Sequence, residues 1–237
     1  MNESEPAKLL FEHIPKCAGT TVIHFLTAQY FNKKHFFIDG SNPTKSVLYF
    51  KSLPKQERLS YDLVLGHHAH DLLDFFHPKK VTLTVFRDPV DRIISHYYFV
   101  LRSPDHYLHK EVTSKGLSLE RYASMDLSAE LRNNYVTRFL RIPIEEAERD
   151  SENAVACAYD IIRKNYTVVG ILEKLDAAMN ALADAAHFRE SFKPSVLNAT
   201  VNRPKYEEID PRIRRTIAEV NFLDVKLYEL IKKDTLV

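Results

Sequence analysis

"KLLFEHIPKCAGTTVIHFL", Lys8 to Leu26, runs from an apolar stretch through a short polar loop into apolar residues at helical spacing. A strand, a loop and a helix in that order turn successive backbone N–H groups into one concavity at a helix N-terminus. Anions are favoured there by the unpaired donors and by the positive end of the helix dipole. Within the loop Gly19 permits close backbone approach, Thr20 and Thr21 add hydroxyl donors, and Lys16 adds a full charge. Lys16, Cys17, Ala18, Gly19, Thr20 and Thr21 are therefore candidates for holding an anion, although a plain tight turn uses Gly-Thr-Thr equally well. The ATP-type loop, G-x-x-x-x-G-K-[ST], places its lysine after the last glycine; here the lysine comes first and the first glycine is missing, which disfavours magnesium-dependent phosphoryl transfer.

Outward from this stretch the same alternation continues. Further β-rich runs are "KHFFID" (Lys34 to Asp39), "YDLVLGH" (Tyr61 to His67), "KVTLTVF" (Lys80 to Phe86) and "YTVVGIL" (Tyr166 to Leu172). Helical patterns lie between and after them, as in "DPVDRIISHYYFVLRS" and "EKLDAAMNALADAAHF". Strands alternating with helices predict an α/β fold, a mostly parallel central sheet flanked by helices on both faces, with any ligand site beyond the carboxyl ends of the strands. The segment Ser103 to Ser118 reads as an inserted loop or short helices. "PIEEAERDSENAVACAYDIIRKN" reads as one long solvated helix, and Ile217, Val220, Leu223, Leu227 and Leu230 as the core stripe of a C-terminal helix.

The chain has 237 residues, 45% of them hydrophobic, and a formal net charge of +1. One domain over residues 1–237 is expected, and no global positive field points to nucleic acid as a partner. The two cysteines, Cys17 and Cys157, are far apart and suggest neither a zinc site nor a disulfide framework. The polar N-terminus does not suit a signal peptide and no apolar run reaches the length of a membrane span, so a soluble, cytoplasmic protein is expected. No pattern in the chain specifies an oligomer.

A second loop carries further chemistry. In "VTLTVFRDPVDRIISHYYF" a strand ends at Phe86; Asp88 suits a helix N-cap, Pro89 the first helical position, and Asp91 can receive backbone donors in the first turn. Arg87 and Ser95 are not needed for capping, and both can project toward an anion, the guanidinium matching two phosphate oxygens at once. Arg92 reads as a surface residue as readily as a ligand. Magnesium on Asp88 would make the protein a kinase, but the proline after it favours the cap.

Together the two loops resemble the sulfotransferases that use 3′-phosphoadenosine 5′-phosphosulfate (PAPS), in particular the carbohydrate branch and its uronyl 2-O-sulfotransferases. "IPKCAGTT" is similar to that family's 5′-phosphosulfate loop and "FRDPVDRIISHYYF" to its 3′-phosphate element, with Arg87 and Ser95 on the phosphate contacts. "LRNNYVTRFL" resembles a stretch of bacterial members, and "LNATVNRPKYEEI", with Thr200 and Arg203, falls where the family closes a loop over the nucleotide. The resemblance implies a P-loop-NTPase-like three-layer fold, PAPS as donor, adenosine 3′,5′-bisphosphate as product and no required metal. Cys17 stands where a threonine is common and Gly19 where some relatives have serine. The resemblance also gives the displaced lysine a role. A sulfuryl group carries less negative charge than a phosphoryl group, so charge develops on the leaving 5′-phosphate, which Lys16 can meet.

A hydroxyl acceptor must lose its proton to a base. "LVLGHHAHDLL" supplies His67, His68 and His70, and His67, directly after Gly66, matches the family's catalytic histidine. If the strand extends that far, His68 and His70 share one face and His67 takes the other. A metal cluster of these histidines with Asp71 suits no common zinc spacing. His24, Asn134 and Arg138 are candidates for contacting the acceptor, a glycan or another hydroxyl-bearing molecule, with ordinary helix positions as the competing explanation. The rival functions are a small-molecule kinase on a related fold and a nucleotide-binding module without turnover.

Overall fold

All five apolar runs form strands. The computed structural model describes residues 5–193 and 203–235. In chain order the first elements are β1 (Leu9–Glu12), α1 (Gly19–Gln29), β2 (His35–Phe37), α2 (Pro43–Ser52), α3 (Lys55–Ser60), β3 (Leu63–Gly66) and β4 (Val81–Phe86). Then come α4 (Pro89–Arg102), α5 (His109–Ser114), α6 (Leu119–Ser124), α7 (Asn134–Leu140), α8 (Ile144–Arg149) and α9 (Ser151–Asn165). The chain finishes with β5 (Val168–Ile171), α10 (Leu175–Ala186), α11 (Pro211–Val220) and α12 (Phe222–Asp234). Two units divide it, Met1–Phe86 with Ile162–Asn198 and Arg87–Ile161 with Ala199–Val237.

The first unit is built on the sheet. Its described strands are all parallel, in the order β2-β3-β1-β4-β5. Such a sheet must be covered on both faces, which is why every position of β1, β3 and β4 is buried. Leu9, Phe11, Leu63, Leu65 and Leu83 pack against Val22 and Leu26 of α1 and Met179 and Leu182 of α10. Leu10 and Val64, on the opposite face, pack against Val47 and Phe50 of α2. This is the α/β, P-loop-NTPase-like architecture with helices flanking a parallel sheet.

The second unit is helical and is tied together by two caps exchanged between helices. The Asp224 carboxylate, in the first turn of α12, accepts the Tyr135 and Val136 N–H groups that begin α7, at 2.9 and 3.1 Å. Asn133, just before α7, answers by accepting the Leu223 and Asp224 N–H groups of α12 on its Oδ1, at 2.9 and 3.3 Å. Helix ends leave their first N–H groups unpaired, so each helix supplies what the other lacks. Asn221 separates α11 from α12: its Oδ1 accepts the Asn133 N–H and its Nδ2 donates to the Ile217 carbonyl. The single C-terminal helix expected from the apolar stripe is thus two helices. Ile217, Leu223 and Leu227 are buried, while Val220 and Leu230 are only partly so.

The long acidic helix is also two. Asp150 ends α8 with non-helical backbone and its carbonyl accepts the Ala154 N–H, starting α9 afresh. Its face is not wholly solvated, since Ala147, Ala154, Val155, Ala158 and Ile162 are buried. Between α4 and α6 the expected short helix is α5.

Candidate active site

The first group of residues stands at the carboxyl ends of β1 and β3. Lys16 and Ala18 both adopt left-handed backbone, φ 67° and 58°, a conformation that costs a non-glycine residue about 1 kcal/mol or more. Reversals of hand on either side of Cys17 fold the loop inward, and α1 starts at Gly19 with no side chain capping it. The N-terminal donors of this helix are left to the backbone and to whatever anion binds. Not every loop donor is available: the Cys17 N–H donates to the Ile14 carbonyl at 3.3 Å, and the Cys17 side chain is buried with its Sγ toward the Pro15 carbonyl. Lys16 and Thr21 are partly exposed, and Thr20 and His24 are exposed.

With the His13 ring where it lies, Gly19 is required for a reason other than close approach to a ligand. A Cβ at this position would fall inside the imidazole of His13. Gly66, at φ 135°, is likewise obligatory, because a Cβ there would lie 2.8 Å from the Ile38 side chain.

β3 ends at Gly66, so strand alternation does not govern the three histidines that follow. A left-handed His68, φ 65°, instead turns the chain into a 3-10 helix over Ala69–Leu72. The fully buried Glu12 carboxylate holds that turn by accepting the His70 N–H at 2.7 Å and the His68 N–H at 3.3 Å. Each imidazole then has its own environment. His70 is buried with Nδ1 at 3.0 Å from the Tyr166 hydroxyl. His68 is the more exposed and lies 3.9 Å from Asp71. His67 is half-buried, with Nδ1 2.6 Å from the His13 carbonyl oxygen. A carbonyl only accepts, so Nδ1 carries the proton and, in the neutral ring, Nε2 carries the lone pair. Among the described residues no three His, Cys, Asp or Glu side chains gather as metal ligands.

The second group belongs to the helical unit. Asp88 caps α4, accepting the Asp91 N–H at 2.9 Å, and Pro89 follows at the first position. Asp91 does not serve as a second receiver of backbone donors: its carboxylate takes the Arg87 guanidinium, at 2.6 Å from Nε and 2.5 Å from an Nη, and also that of Arg203. Residues 112 positions apart in sequence are thereby joined. Two guanidiniums on one carboxylate leave a net positive charge, and burial followed by the charge of Arg87 pushes Arg203 down to about 10. The Arg203 Nε is buried without a hydrogen-bond partner, which suits it to a further acceptor. Ser95, buried, lies one helical turn beyond Asp91 on the same side of α4.

Arg92 is not at the surface. It is fully buried, donates to the Glu130 carbonyl at 2.9 Å, lies over the Tyr135 ring and faces Asp224 at 3.9 Å. Burial pushes the Asp224 carboxyl up to about 6, against the pull of Arg92 and of the Tyr135 and Val136 N–H groups. Asn134 and Arg138 are buried too, Arg138 donating to the Asn134 Oδ1 at 3.3 Å, so they form no solvated polar face. Thr200 lies outside the described residues. Sequence reasoning passed over Glu12, His13 and Asp224 as organisers and gave Asp91 to backbone donors; the visible signals were Glu12, an acid inside an apolar strand, and the four-residue spacing of Arg87 and Asp91.

With this geometry in view, comparison with known proteins is decisive at the level of the family. The sulfotransferase family model matches residues 2–230. The chain belongs to the sulfotransferase family. It is also 29% identical over 119 residues to human heparan sulfate 2-O-sulfotransferase 1, a match covering 45% of this chain and 33% of that protein. The sulfotransferase described here thus spans well under two thirds of that relative. None of its described helices is long and apolar enough to cross a membrane.

Proposed function

We propose that this sulfotransferase moves a sulfuryl group from PAPS to a hydroxyl group, with a carbohydrate as acceptor, releasing adenosine 3′,5′-bisphosphate. The observation that carries the reading is the His67 Nδ1–H bond to the His13 carbonyl, which leaves a basic Nε2 at the strand ends where the uncapped start of α1 also lies. The donor supplies a sulfuryl group on a phosphate leaving group. His67 Nε2 takes the acceptor's proton as its oxygen bonds to sulfur and the sulfur–oxygen bond to the phosphate breaks. Lys16 and the N–H groups of Ala18, Gly19, Thr20 and Thr21 hold the phosphosulfate, Lys16 meeting the charge that collects on the 5′-phosphate. Arg87 and Ser95 take the 3′-phosphate, Thr200 and Arg203 belong to the segment that closes on the cofactor, and the orphaned Arg203 Nε beside Arg87 supports that fit. His24, Asn134 and Arg138 are assigned to the acceptor side. No residue in this scheme needs a metal. Cys17 and Cys157 are thiols rather than halves of a disulfide, which suits action in the cytoplasm.

Transfer of labelled sulfate from PAPS to a panel of glycans, lipids and small alcohols tests the proposal. Turnover should persist in a chelator, and His67→Ala should lower it by roughly 10² to 10⁴-fold with nucleotide affinity near normal. Unchanged turnover in that variant removes His67 from the mechanism. ATP binding that requires magnesium would favour the kinase, and nucleotide binding with no acceptor in the panel would favour a module without turnover.

A further inference from the structure

The imidazole of His13 touches both the anion loop and the histidine read as the base. Its ring stacks on that of His67, centroids 4.4 Å apart and planes 25° from parallel, and lies 5.7 Å from the Phe11 ring on which it also stacks. It fills the space that a side chain at residue 19 would need. Strand register explains the arrangement. β1 and β3 pair in parallel with Glu12 opposite Gly66, so the next residues, 13 and 67, leave the sheet as neighbours at about the 4.8 Å strand spacing. The His13 N–H continues the ladder by donating to the Gly66 carbonyl at 3.1 Å.

A hydrogen bond through Nδ1 fixes one direction in the plane of the His67 ring but does not by itself set the plane. A flat face against the ring sets that plane, and a base must hold its aim closely, because a displacement of about 1 Å at a reacting group can cost on the order of 10²-fold in rate. We propose that His13 is a positioning residue for the sulfuryl transfer: its imidazole, seated over Gly19, is the surface that sets the plane of His67. The inference rests on the reading of His67 as the base. It also accounts for glycine at residue 19, since the brace and a side chain there exclude each other.

Three variants and two measurements test it: turnover with PAPS and a glycan acceptor found for the wild type, and affinity for adenosine 3′,5′-bisphosphate by calorimetry. His13→Phe keeps a flat ring and should retain turnover within about threefold. His13→Ala and His13→Leu lose the flat face and should drop turnover by about tenfold or more, with bisphosphate affinity within about twofold of wild type. His13→Leu fills the space over Gly19, so it serves where His13→Ala fails to fold. Wild-type turnover in His13→Leu would overturn the inference, and so would a His13→Phe variant as impaired as His13→Leu, since the ring's nitrogens rather than its face would then matter. The underlying reading fails differently: the wild type would transfer no sulfate, or His67→Ala would be fully active.

Discussion

The N-termini of α1 and α4 manage charge in opposite ways. α1 begins at a left-handed Ala18 with no side-chain cap, and in the proposed function its first N–H groups are given to the anion. α4 begins with Asp88 as cap, Pro89 removing a donor, and Asp91 in its first turn. The second helix has satisfied its own dipole, and positive charge there must come from side chains, Arg87 and Arg203, held in place by Asp91. Backbone presented to a ligand is cheap in residues and strained in conformation; guanidiniums need a carboxylate to aim them. Charge changes at the cap of α4 should therefore register in stability, whereas those at its guanidiniums or near α1 should register in binding.

The largest stability effect expected is at Arg92. Arg92→Met leaves Asp224 buried without its cation and should destabilise the protein by about 3 kcal/mol at pH 8, measured by urea unfolding. A loss much below 1 kcal/mol would mean that the Tyr135 and Val136 N–H groups suffice for that carboxylate. Next, Ala18→Asp places in α1 the kind of carboxylate that α4 already has. Bisphosphate affinity should fall by about tenfold while the unfolding midpoint stays put or rises. Unaltered affinity would dissolve the contrast between the two helices. The converse change, Asp88→Ala, should cost about 1 kcal/mol of stability.

The last effect is a pH dependence. Folded Asp224 holds its proton up to about 6, whereas its ordinary value is 3.8. Between those values the unfolded chain binds fewer protons than the folded one, so this group's contribution to stability falls as pH rises. Asp224→Asn should therefore gain on wild type as urea midpoints are followed from pH 4 to pH 7. A constant difference across that range contradicts the raised carboxyl.

What was legible in the chain follows the range of the forces involved. Apolar runs and helical spacing are local, and every strand, with α1, α4 and α10, lies where that pattern put it. The breaks at Asp150 and Asn221 were missed because a cap signal inside a periodic stretch looks like a polar position on a continuous helix. Arg92 was misread because α4 is buried around most of its circumference, so the rule of one apolar stripe failed. The His13 and His67 stack needs the β1 and β3 register, and the meeting of Arg87 with Arg203 on Asp91 needs tertiary structure; neither leaves a trace in local spacing. Gly19 was recognised as special, but its reason, the His13 ring, was not visible until both were placed.

Calorimetry on the wild type and Arg87→Ala, with adenosine 3′,5′-bisphosphate and adenosine 5′-monophosphate and no magnesium present, tests the central claim most directly. Bisphosphate should bind the wild type more tightly than the monophosphate, and Arg87→Ala should weaken bisphosphate alone, by roughly 10 to 100-fold for a lost charge-assisted bond. Equal weakening of both nucleotides, or no preference for the 3′-phosphate in the wild type, would contradict it.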